Sequence, residues 1–192
     1  MTVRQVVVKC SLVCAAALAL SALPSSRVLA RTGNEQAGAK YQGQAAGLIN
    51  TVREATERFK DVKVAEAEGY ALMFGCVSGP DSGAMGLHYV NLPLVLDGVL
   101  DPTKPEIIIY EPLPNGGLKM TGADFLVFAA DWHQNNVATP ELQGQLLHLF
   151  ESPNRFGLPN FYTLHVWAWK ENPTGAFVNW HSNVSCTAYG GQ

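Results

Sequence analysis

The residues of this chain best equipped for chemistry are its histidines and one glutamate. His88 stands in Met85-Gly86-Leu87-His88-Tyr89-Val90-Asn91 and His165 in Leu164-His165-Val166-Trp167-Ala168-Trp169, while His148 lies among leucines and His133 and His181 each follow a tryptophan. None has a second histidine at H-x-H or H-x-x-x-H spacing, so a metal site would have to be assembled across strands. Residues two apart on a strand share a face. That rule puts Phe161, Thr163, His165, Trp167 and Trp169 on one face of their run, and Ile107, Ile109 and Glu111 on one face of another. A carboxylate among isoleucines needs compensation, because an unpaired buried charge is strongly unfavourable.

A divalent cation held by His88, Glu111 and His165 would supply it. Two imidazoles and a carboxylate with open positions suit iron, and equally admit manganese, zinc or copper. Met85 or Met120 nearby would add a soft ligand and favour copper. Such a metal could act as a Lewis acid or activate water or oxygen, with Tyr89 or Tyr110 as proton donors; without turnover the protein would be a metal carrier. Two other readings of the same groups stay open: a metal-free pocket, or a structural role in which Glu111 pairs with Lys119 and the histidines are satisfied in the core. Trp167 and Trp169, close in sequence to Phe161, Phe177 and Trp180, offer either core packing or a wall for an apolar or carbohydrate ligand. The wall would make a non-catalytic binding module, and an exposed aromatic face an interaction protein. The G-x-S-x-G, P-loop, G-x-G-x-x-G, H-E-x-x-H and C-x-x-C signatures are all missing from the chain, which lowers the prior for the chemistries they serve.

The elements that must position these residues begin after a leader. Met1 to Lys9 carries two positive charges, Cys10 to Leu23 is an uncharged, mostly apolar run of fourteen, and Ala30 ends a short-residue cleavage site, which together predict a signal peptide over residues 1–30. The run falls short of the roughly 20 residues a membrane-spanning helix needs. Export to the periplasm or medium is therefore expected, without stable membrane insertion once the leader is removed. Beyond residue 30 there are ten lysines and arginines against sixteen acidic residues, a net charge of −6. That balance argues against nucleic acid and leaves a small molecule or a metal ion as the expected partner. Of four cysteines only Cys76 and Cys186 follow the leader, and in an oxidising compartment an even pair predicts a disulfide.

Residues 31–44, rich in Gly, Ala and Gln, read as a flexible tail. Over 45–69, Leu48, Val52, Ala55, Phe59 and Val62 recur at helical spacing opposite a charged face, with Asp61 as a possible N-cap and Gly69 as a stop. From residue 70 onward short β-type runs alternate with Gly, Pro and Asn, predicting a mainly-β domain over 70–192, a small antiparallel barrel or sandwich closed by one disulfide. Runs are expected at Leu87 to Asn91, Glu106 to Glu111, Leu118 to Met120, Asp124 to Ala129, Gln145 to Phe150, Tyr162 to Trp169 and Ala176 to Trp180. A two-residue turn at Asn115-Gly116 would set Glu111 opposite Met120.

Three segments carry a likeness to known sequences: Gly83 to Asn91 reads GAMGLHYVN, Pro105 to Glu111 reads PEIIIYE, and Leu164 to Trp180 reads LHVWAWKENPTGAFVNW and is followed by Cys186. In these the chain resembles an uncharacterised family of exported bacterial proteins, over about Cys76 to Cys186. The resemblance implies export and implies no activity. It departs after the last tryptophan, where the family continues Asn-Pro and this chain has His181-Ser182. His88, Glu111 and His165 lie inside the matching segments.

Overall fold

The structure, a computed structural model, describes residues 33–190; the expected signal peptide lies outside them. Helix α1 (Gly33–Thr56) starts inside the stretch expected to be a tail, since Ala, Gln and Lys at its start are good helix formers. It is followed by a 3₁₀ turn (Glu57–Lys60) and by α2 (Val62–Ala67), whose first turn is capped by the Asp61 carboxylate accepting from the Lys63 N–H at 3.0 Å. Gly69 ends the helical segment at φ 94°. Leu48, Val52 and Phe59 are fully buried, as their spacing predicts, and each contributes about 1.5–3 kcal/mol by leaving water.

The β part is one curled antiparallel sheet of six strands in the order β1-β2-β3-β4-β8-β7, built from β1 (Ala71–Gly79), β2 (Gly83–Val90), β3 (Ile107–Pro112), β4 (Leu118–Phe128), β7 (His148–Phe150) and β8 (Phe161–Val166). The short hairpin of β5 (Glu141–Leu142) and β6 (Gln145–Leu146) stands beside it, with one-turn helices α3 (Leu92–Leu96) and α4 (Ala129–Trp132) in the connections. The architecture is mainly β with an N-terminal helix, as expected, and barrel-like in its curl. The two runs expected at Leu118 to Met120 and Asp124 to Ala129 are one strand interrupted by a bulge at Thr121. Tyr162 to Trp169 stops being strand at Val166, and Ala176 to Trp180 forms turns instead of a strand. Strand β1 was not expected. Its alternation is broken because Phe74 and Gly75 bulge out between the pairs Met73–His88 and Cys76–Leu87.

Alternation gives the sheet two buried faces. One carries Leu87, Tyr89, Ile108, Tyr110, Phe125 and Leu164 onto α1 and Phe59. The other carries Val90, Ile107, Ile109, Leu126 and Phe161 beneath Phe156 and Leu158 of the 151–160 connection. At Gly122 the backbone at the end of β8 comes close to β4: a Cβ there would lie 2.2 Å from the Val166 carbonyl oxygen.

Cys76 and Cys186 are bonded across a sequence separation of 110, tying β1 to the irregular C-terminal segment. Among the described residues, no helix is long and apolar enough to cross a membrane. A loop that long predicts that Cys76→Ser with Cys186→Ser loses roughly 4–5 kcal/mol by the chain-entropy relation. Urea unfolding of the double variant against the parent measures it.

Candidate functional site

The turn chemistry decides where Glu111 goes. A two-residue Asn115-Gly116 turn would need the N–H of residue 114 to donate across the hairpin, and Pro114 has none. The Leu113 N–H donates instead to the Gly117 carbonyl at 2.8 Å, with Gly116 at φ 80°, a turn of the type I plus left-handed residue kind. The register moves by one: Glu111 faces Lys119 and Tyr110 faces Met120. Glu111 nevertheless pairs with neither Lys119 nor a metal-ligand set. Its Oε2 accepts from Lys170 Nζ at 2.6 Å, and the same ammonium donates to the Asn183 carbonyl.

The expected His88, Glu111 and His165 trio is thus not brought together. Among the described residues no three His, Cys, Asp or Glu side chains stand where they could share a metal ion. Nor is Met120 beside His165, because the Thr121 bulge turns it to the helix-covered face. Tyr89 and Tyr110, the expected proton donors, lie on that face too. Tyr110 donates to the Phe59 carbonyl at 2.6 Å and stands edge-on to Tyr89 at 5.0 Å. Trp167 and Trp169 do not form a shared wall, for the chain leaves the sheet after Val166. The Trp167 indole donates to the Val178 carbonyl and sits between His165 and His181, while the Trp169 indole donates to Thr56 of α1.

His88 and His165 do share the face away from α1, and with them comes a residue that the sequence reading missed. Asp124 faces His165 across the β4–β8 ladder and Ile107 across the β3–β4 ladder. It is 4% exposed. Its Oδ1 accepts from Thr163 Oγ1, and its Oδ2 lies 4.0 Å from His165 Nδ1. Burial pushes this carboxyl up to about 7, against the hydrogen bond from Thr163 and nearby backbone N–H groups, which favour the charged form. Burial likewise holds His88 down to about 4, and lowers His165 well below the ordinary imidazole value with His88 and His181 adding to it. Both histidines are therefore neutral at pH 7. His88 Nδ1 lies 3.0 Å from the Gly86 carbonyl, a contact made by the Nδ1–H tautomer that leaves Nε2 as an acceptor. Among the described residues neither ring nitrogen of His165 has a hydrogen-bond partner, although the ring is fully buried.

Asp124, Thr163 and His88 are the polar residues lining a cavity of about 30 Å³ whose remaining walls are apolar, chiefly Phe74, Phe150, Phe156 and Phe161. Phe74 comes from the β1 bulge at φ 65°, a strained setting for an aromatic residue. Phe156 is presented by the 151–160 connection, which Asn154 holds by accepting from the Phe156 and Leu158 N–H groups and which Arg155 ties to β1 through the Ser78 carbonyl. The signal for Asp124 was in the sequence. It is the only charged residue in Gly122-Ala-Asp-Phe-Leu-Val-Phe128 and shares a strand face with Leu126. Glu106, also missed, is 1% exposed; its carboxylate oxygen accepts from the Leu126 N–H, and burial raises it to about 9.

Compared with family models, with curated proteins and with solved structures, the chain matches none. Function must therefore be drawn from the chain's own residues.

Two outcomes follow from these charges. Glu106 is protonated when folded and ionised when unfolded, so stability falls as pH rises from about 4.5 to about 9, by up to ~1.4 kcal/mol per pH unit. Glu106→Gln should flatten that slope between pH 6 and 8, measured by urea unfolding across the range. Lys170→Met strands Glu111 without its cation and should lower stability by roughly 1–3 kcal/mol; adding Glu111→Gln should recover most of the loss in the same measurement.

Proposed function

We propose that this protein binds a small, mostly apolar molecule in the phenylalanine-walled cavity and holds its polar end at Asp124 and His88. The supporting observation is the Asp124 carboxyl. It is buried in an apolar wall with no cation beside it among the described residues, Oδ1 accepts from Thr163 with the Leu164 and Phe125 N–H groups close by, and Oδ2 stands 4.0 Å from the His165 imidazole. Folding alone is poorly served by such a group, since an apolar side chain of similar volume would avoid the desolvation. A titratable group lining a cavity that is otherwise apolar is instead the usual composition of a ligand site. In its protonated form the Asp124 carboxyl donates, and His88 Nε2 accepts. A guest with a hydroxyl or amide end satisfies both.

Binding, with no bond made or broken, is the reading these groups support. Beside hydrocarbon the cavity is lined by His88, Asp124, Thr163 and Met85, and the Thr163 hydroxyl is engaged as donor to Asp124. The cavity takes one or two waters as it stands, so a larger guest must move a wall, and the 151–160 connection and the Phe74 bulge are the walls without a continuous ladder behind them. The disulfide supports placing this activity in an oxidising compartment outside the cytoplasm.

Butan-1-ol, a small neutral probe, tests the reading by NMR of the histidine imidazoles. The parent should show saturable shifts at His88 with His133 and His148 unmoved. Asp124→Leu, checked for folding by circular dichroism because the buried Thr163 hydroxyl loses its acceptor, should bind about tenfold more weakly through the lost hydrogen bond. Absence of a saturable His88 response in the parent, or equal affinity in Asp124→Leu, would overturn the proposal.

A further inference from the structure

A second cavity, of about 50 Å³ and lined entirely by apolar side chains, lies along the same face of the sheet. Met73, Val90, Leu92, Val95 and Phe128 line it alone, and it shares Phe74, Ile107, Leu126 and Leu158 with the cavity that ends on Asp124. Two cavities with four residues in common are neighbouring rooms with one partition. Ile107 and Leu126 belong to the sheet floor, where ladder hydrogen bonds fix them. Phe74 belongs to the bulge, is 42% exposed, and has a backbone conformation that phenylalanine disfavours. Moving its ring outward breaks no ladder bond and gives up chiefly its edge contact with Phe156. The partition is therefore the most easily displaced part of the wall.

Resting on the function proposed above, we infer that the guest is an unbranched aliphatic chain with a neutral hydrogen-bonding head, the head at Asp124 and His88 and the tail passing Phe74 into the second cavity. The charge pattern selects the head. Among the described residues no lysine or arginine lines either cavity, so an ionised carboxylate or phosphate would be buried there without a lining counter-charge. The shape selects the tail. From Asp124 to Phe128 along β4 is about 13 Å at 3.3 Å per residue, which an extended chain on the order of ten carbons spans. Leu92, which lines the second cavity, is 46% exposed, and Leu96 on the same short helix is 60% exposed, so the tail end of the path opens at an apolar rim.

A length series of linear primary alcohols from butan-1-ol to dodecan-1-ol, titrated by calorimetry into the purified protein, reads this directly. Affinity should rise three- to fourfold per added methylene up to about ten carbons and then level. Phe74→Gly, which suits the positive φ and removes the partition, should raise the affinity for decan-1-ol relative to butan-1-ol about tenfold. Val95→Phe fills the second cavity and should remove the gain beyond short chains, with retained butan-1-ol binding showing that it is folded; should it not fold, the parent and Phe74→Gly decide. Butan-1-ol binding with no increase in affinity with chain length in either protein would overturn the channel and leave the polar-ended cavity standing. Failure of every alcohol to bind either protein would overturn both.

Discussion

A sheet covered on both faces has no solvent side on which to leave a polar group, and that constraint governs this molecule. Helix α1 and Phe59 cover one face, and the 151–160 connection covers much of the other. Every charged or imidazole side chain that the strands carry inward must then find a partner inside or stay neutral. Glu111 finds Lys170, Tyr110 finds the Phe59 carbonyl, and Glu106 takes the Leu126 N–H and keeps its proton. Asp124, His88 and His165 are only partly provided for. Their incomplete satisfaction is what separates them from the other polar residues of the sheet.

The two faces divide labour. The helix-covered face is the larger core, and its polar atoms are consumed by structural bonds between distant segments, as when Tyr70 donates to the Pro105 carbonyl and Trp169 to Thr56. The opposite face is assembled from all six strands and a connection, and retains space. That division follows from local irregularities. The Thr121 bulge sends Met120 to the helix side, and the Phe74-Gly75 bulge sets a ring over the cavity that regular alternation would have placed elsewhere.

The legible parts of the sequence were those with an unbroken period. The helical stripe of Leu48, Val52 and Phe59, the Asp61 cap, the face shared by Phe161, Thr163 and His165, and the cysteine pair all read directly. Strand β1 was hidden because its bulge erases the alternation over Met73 to Cys76. Glu111 was correctly placed on the face of Ile107 and Ile109, but its partner comes from Lys170, beyond the point where the chain leaves β8, and no spacing within the strands reports that crossing. The hairpin register was legible in principle, since Pro114 lacks the donor a two-residue turn needs. Asp124 opens the apolar run Asp124 to Ala129 and so has the look of a strand start, and its burial follows from cross-strand neighbours, His165 and Thr163, that lie about forty residues away. The paired tryptophans misled for a related reason: equal spacing means a shared face only while the strand lasts, and this one ends between Val166 and Trp169.

The bulge in β1 has one more effect, on how molecules of this protein meet each other. An open sheet ends in two rows of unpaired backbone groups that can template a neighbour's strand. Here one border strand, β7, is only three residues long, and the other, β1, is broken midway by two residues of left-handed backbone and tethered by its cysteine to the chain's last segment. Neither border presents a long straight ladder, so the same kink that hangs Phe74 over the cavity also spoils the sheet as a seed for end-on polymerisation.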